Sequence, residues 1–272
     1  GISYFLLLVV FSSCKKGEQV ETWTEFVDVF FDARKTALAD NGSGIFIAAK
    51  YNGFPIEWDI LRQKIKVVEG PAQFEFYDTR TGKTVAEKTI DVKAGSKEVY
   101  TLFQPLMDAP VSFVDPREQE KEEAAPAGHI KIKAANYAQM LIPFTKVDMK
   151  LFIVYFDEDW NEQKEELGII RDVPASMSEG GYQILPDGLR EGIEIYSYVF
   201  EFTDHETGAP LLNHGGATYN SSAFSFGDFQ PTPVKKVYSI YLTPFKAWGE
   251  APAFIKNGED YYEITTRILF AN

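Results

Sequence analysis

The residues most able to do chemistry cluster in one stretch, residues 213–233, which reads NHGGATYNSSAFSFGDFQPTP. Tyr219, Phe224, Phe226 and Phe229 offer flat apolar faces, while Asn213, His214, Asn220 and Asp228 offer hydrogen-bonding groups. Aromatic faces beside amides and carboxylates suit sugar rings, whose C–H faces stack while their hydroxyls need polar partners. A segment this long exceeds a plain hairpin turn, and long loops on rigid scaffolds often carry binding. His214, Tyr219, Asn220, Phe224, Asp228 and, from a separate turn, Trp248 are therefore the candidate ligand-binding residues. The competing reading is that Phe224 and Phe226, which alternate, form an edge strand packed on the core. A second acidic stretch, Asp157-Glu158-Asp159-Trp160-Asn161, opens like a calcium loop. The pattern then requires Gly at the sixth place and Glu at the twelfth, where this chain has Glu162 and Gly168. It reads as a solvated acidic turn, with Trp160 and Trp248 as rim residues of the core or as exposed rings. His129, His205 and His214 lack partners at metal-ligand spacing, so neither a metal nor a cofactor is expected. Serine-hydrolase elbows, phosphate-binding glycine loops and dinucleotide fingerprints are absent, and no catalytic residue is assigned.

These residues belong to a chain of 272 residues with a formal charge of −13. That charge argues against nucleic acid, which rewards basic faces. The one cysteine, Cys14, leaves neither a disulfide framework nor a CxxC pair. Before it runs YFLLLVVF, unbroken in apolar character, then Ser12-Ser13, with Lys15-Lys16 following. The run is shorter than the roughly 20 residues a membrane-spanning helix needs and matches the apolar region of a signal peptide. The alternative is a buried apolar first strand with an inert core cysteine.

Val10-Phe11-Ser12-Ser13-Cys14 resembles the lipobox of bacterial lipoproteins, in the loose form common in Bacteroidota. The resemblance implies that Cys14 is lipidated, that residues 1–13 are a signal peptide truncated upstream, and that residues 14–22 are a tether. Stable anchoring takes more than one acyl chain, and the class usually carries three.

Downstream, short alternating strands recur at steps of about 8–12 residues, separated by turns such as Asn41-Gly42-Ser43-Gly44 and Asn52-Gly53. Helical spacing is conceivable only over residues 30–39. The charged, Pro/Ala-rich segment 115–128, DPREQEKEEAAPAG, reads as a solvated linker. The expected fold is all-β: two tandem immunoglobulin-like β-sandwich domains, 23–114 and 129–272, behind a lipoprotein signal and short tether. The halves share text in the same order. FEFYDTRTG at residues 74–82 faces FEFTDHETG at 200–208, and KEVYT at 97–101 faces KKVYS at 235–239. Ordered matches point to a duplicated domain, with an insertion of about a dozen residues in the second copy. The lipobox and domain layout resemble accessory lipoproteins beside outer-membrane transport or assembly complexes in Bacteroidota. That resemblance implies a non-catalytic, lipid-anchored outer-membrane protein, at the cell surface rather than in the periplasm, with an outer-membrane complex as partner. The aromatic segment supports an alternative, a glycan-binding lipoprotein of a starch-utilisation-type system. A lipidated fimbrial subunit is a third.

Overall fold

The computed structural model describes residues 25–57, 62–220, 224–227 and 232–272. The signal, Cys14 and its tether lie outside the described residues. Alternation dictates the first strand, β1 (Phe26–Thr36): Val27, Val29, Phe31 and Ala33 are at most 4% exposed while Phe26 stands 62% exposed on the other side. The helical spacing over 30–39 gives way to this strand, which runs on to Thr36 through an irregularity between Asp32 and Lys35. There follow β2 (Ile47–Tyr51), β3 (Phe54–Ile56), β4 (Arg62–Val68), β5 (Gly70–Asp78), β6 (Thr84–Val92), β7 (Glu98–Gln104) and β8 (Ser112–Val114). They form two sheets ordered β4-β1-β7-β8 and β3-β2-β5-β6. Between them Phe31 packs edge-on against Phe74 and Phe76, at centroid distances of 4.8 and 5.0 Å.

The second half repeats this plan with β9 (His129–Asn136), β10 (Val147–Phe156), β11 (Glu162–Ile170), β12 (Gln183–Pro186), β13 (Glu194–Asp204), β14 (Val237–Lys246), β15 (Ile255–Asn257) and β16 (Asp260–Ala271). Its sheets run β12-β9-β14-β16-β15 and β11-β10-β13. The shared text occupies equivalent places. FEF lies on β5 and β13, each the antiparallel partner of the second long strand of its half. KEVYT and KKVYS lead into β7 and β14, each parallel to the first strand of its half. Both D-x-x-T-G hairpins close alike. Gly82 N donates to Asp78 O at 2.7 Å and Gly208 N to Asp204 O at 2.8 Å. The two glycines have φ of 70° and 71°, which a side chain would strain. Strand β11 escaped the sequence reading because its text, EQKEELGII, is charged, which suits an exposed edge strand.

The inserted segment takes the place that β6 holds in the first half. It follows β13 through isolated bridges, Thr203–Pro210, Glu201–Asn220 and Tyr198–Phe224. Its large side chains go inward: Leu211 4%, Tyr219 3%, Phe224 5% and Phe226 2% exposed.

Residues 115–128 are largely exposed but do not run free of the sandwiches. Asp115 caps a short helix, α1 (Pro116–Glu120), by accepting from Arg117 N at 2.9 Å. Gln119, 5% exposed, binds the second sandwich: its Nε2 donates to Asn272 Oδ1 at 2.8 Å, and its Oε1 accepts from Tyr182 and from Ser239. Charge in this stretch suggested solvent, but one amide able to give and take several hydrogen bonds makes it a joint. Beside it Phe103 of β7 packs edge-on against Tyr241 of β14 at 5.0 Å, and Asp40 pairs with Arg267. Burial pushes the Tyr241 hydroxyl up to about 12.

Candidate functional site

The residues singled out from sequence do not meet in one place. Tyr219 is a core residue stacked on Phe202, and its hydroxyl accepts from Ile264 N at 2.8 Å. Burial raises that hydroxyl to about 12. Phe224 packs on Phe200 at 5.2 Å and on Phe226 at 4.7 Å. Tyr219 and Phe224 thus present no face to a ligand. Among the described residues this segment meets β13 through isolated bridges, and these rings pack the core beside it. Asn220 is exposed in its bridge to Glu201. His214 lies edge-on to Tyr261 at 5.2 Å, with Nε2 3.3 Å from Glu250. Asp228 lies outside the described residues. Trp248 is 99% exposed, on the turn after β14.

The structure instead assembles a site at the opposite end of the second sandwich, where β10 runs into the β10–β11 turn and β13 begins. A cleft of about 540 Å³ is lined by Phe156, Asp157, Glu158, Trp160, Gly192, Glu194 and Tyr196. Trp160 is 82%, Tyr196 69% and Phe156 36% exposed, a concentration of bare aromatic surface that a monomer otherwise hides. The Phe156 ring centre is 6.4 Å from that of Trp160 and 5.9 Å from that of Tyr196, at interplanar angles of 42° and 72°. The three rings therefore form angled walls rather than one stack.

Local chemistry explains each position. In the turn, Asp157 accepts from Asp159 N at 2.9 Å, Asn161 N at 2.8 Å and Gln163 Nε2 at 2.9 Å. Those bonds, led by the backbone N–H of Asn161, hold its carboxyl below the usual carboxylate range. The turn drives Trp160 to a φ of 63°, a conformation that costs a bulky residue about 1–2 kcal/mol. Strain of that kind clusters at functional sites. Tyr196 owes its exposure to a bulge: the register pairs Val154 with Ser197 but Tyr155 with Ile195, leaving Tyr196 as the extra residue. Strict alternation would place Tyr196 inward with Tyr198, Phe200 and Phe202, all fully buried. That slip hid the site from sequence reading, whereas Trp160 in its acidic turn was a visible signal. Glu158 and Glu194 make no ion pair among the described residues and leave acceptors at the rim. Nor do the described residues contain a group of three or more His, Cys, Asp or Glu that could hold a metal ion.

No protein-family model and no curated protein matches the sequence. Among solved structures the chain is similar, at 11% identity and a TM-score of 0.23, to a family 41 carbohydrate-binding module from streptococcal virulence factors that recognises α-glucan; 79% of this chain and 93% of that one align. It is also similar to a leucine-rich repeat protein from Bacteroides thetaiotaomicron, at 11% identity and a TM-score of 0.18, over 79% of this chain and 27% of that one. A candidate adhesin from Bacteroides ovatus aligns at 9% identity and a TM-score of 0.20, over 90% of this chain and 96% of that one. Scores of this size carry no argument about ligand, so function rests on the geometry.

Proposed function

We propose that the protein is a non-catalytic binding protein that takes a carbohydrate in the cleft between Phe156, Trp160 and Tyr196. The observation that carries the reading is three exposed rings set as angled walls around carboxylates, two of them unpaired. Sugar C–H faces stack on such rings, and hydroxyls donate to the carboxylates. Asp157, its carboxyl held below the usual range by its donors, adds a charged acceptor to the cleft. The same cleft favours glycan capture over a purely accessory role beside an outer-membrane complex. Acylation of Cys14 would hold this binding surface at the outer face of the cell; radiolabelled palmitate incorporation that is lost in Cys14→Ser tests the anchor.

Affinity gel electrophoresis against a panel of neutral polysaccharides tests the cleft. At least one polysaccharide should retard the protein, and Trp160→Ala with Tyr196→Ala should abolish the retardation. Reducing ends should not accumulate. Retardation unchanged in the double variant, or release of reducing ends, defeats the proposal.

A further inference from the structure

A second concavity lies at the joint of the two sandwiches, far from the aromatic cleft in the chain's topology. This groove of about 420 Å³ has residues 34–43 of the first sandwich on one side and Tyr241 to Lys246, Trp248 and Arg267 of the second on the other. Its charge runs against the rest of the molecule. In a chain with 40 acidic and 27 basic residues, the groove is lined by Arg34, Lys35, Lys246 and Arg267 against Asp40 alone. Three of these cations already have carboxylates: Arg34 pairs with Asp32 at 2.7 Å, Lys246 with Asp260 at 2.9 Å, and Arg267 with Asp40. The Lys35 ammonium makes no hydrogen bond or ion pair among the described residues, although the residue is half-buried. Desolvation, followed by repulsion from Arg34, holds its ammonium below the usual lysine range. Asp32 and Asp40 draw the other way, but each carboxylate is already engaged by Arg34 or Arg267, so the Lys35 ammonium keeps room for one further anionic group. At the rim, Trp248 is 99% exposed, and Phe245 is 38% exposed. An indole held wholly in solvent is a free stacking face.

We infer that the joint groove is a binding site for a sugar acid, with the carboxylate on the Lys35 ammonium and the pyranose ring against the Trp248 indole. Four cations at the groove face three carboxylates, Asp32, Asp40 and Asp260, an excess of one that suits a single negative charge rather than a polyanion; the overall charge of −13 separately disfavours nucleic acid. The site needs both sandwiches, because its lining comes from both and the Asp40–Arg267 pair links one to the other.

Glucuronate titrated into the full-length chain, followed by NMR of the tryptophan indoles, tests the site, with glucose and acetate as controls. Glucuronate should shift the Trp248 resonance and bind more tightly than either control. Lys35→Gln should weaken it about 10- to 100-fold, the range for a lost charged hydrogen bond. That substitution removes a desolvated charge and should leave folding intact. Trp248→Ala, at a fully exposed position, should weaken it about 3- to 10-fold. Trp160→Ala should leave glucuronate binding unchanged, so this inference stands or falls apart from the aromatic cleft. Glucose or acetate binding as tightly as glucuronate overturns it, as does insensitivity to Lys35→Gln and Trp248→Ala.

Discussion

In the first sandwich, β6 lies along β5 in a ladder from Gly70–Val92 to Tyr77–Thr84 and seals the sheet edge with Ile90 and Val92. In the second, the equivalent edge of β13 meets isolated bridges among the described residues, and the sealing residues are Tyr219, Phe224 and Phe226. Small β-branched residues suffice where a continuous ladder supplies the order. Where the backbone wanders, large rings and a buried hydroxyl take over: Phe226 meets Tyr198 at 4.7 Å, and Tyr219 bonds the backbone of β16. The core of a sandwich thus constrains what is inserted into it more than how the insert pairs. The same contrast separates the long strands. The β2–β5 pairing is regular, whereas the β10–β13 pairing slips at Tyr196 and builds the candidate cleft.

Equivalent core positions give the sharpest break. Phe74→Ala and Phe200→Ala, both at fully buried rings, should each cost about 3–5 kcal/mol in urea denaturation followed by circular dichroism. A much smaller loss at Phe200 would show that the bridged edge yields to fill the cavity. Alkaline titration comes next. Tyr219 and Tyr241, both in the second sandwich, have hydroxyls raised from 10.0 to about 12. Their contribution to stability is whole below pH 10, where folded and unfolded forms are both protonated, and is lost as the pH rises from 10 towards 12. Thermal melts across that window should fall, and Tyr219→Phe should flatten the fall. At neutral pH the same substitution strands the Ile264 N–H and should cost about 1–3 kcal/mol. The hairpin glycines sharpen the likeness rather than the difference. Gly82→Ala and Gly208→Ala, at φ of 70° and 71° in open space, should each cost about 1–2 kcal/mol, and equally, in the same denaturation assay.

Much of the all-β layout was legible because strand patterns are local: β1 and β5 announce one buried face by alternation, and β14 a doubly buried strand by its apolar run. The likeness of the two halves was legible because FEF and the KxVY strands keep their text at equivalent places. Three features were not. Tyr196 sits on a one-residue register slip, which alternation cannot foresee. Gln119 joins the halves through partners as distant as Asn272, in a stretch whose composition signals solvent. Tyr219 has the composition of a binding loop and the burial of a core, and side-chain type alone does not separate the two, whereas for Phe224 and Phe226 the core-packed reading offered by their alternation is the one the structure shows.

The side-by-side parallel strands carry a cost in time. Val29 of β1 lies opposite Glu98, and Lys131 of β9 opposite Val237, so the opening strand of each copy must wait for a late segment before its sheet can close. Distant pairings slow folding, since the intervening chain must be confined before any contact rewards it. A ribosome or translocon releasing this polypeptide therefore exposes two unfinished β-surfaces in succession, and each leaves the aggregation-prone state only when β7 or β14 emerges.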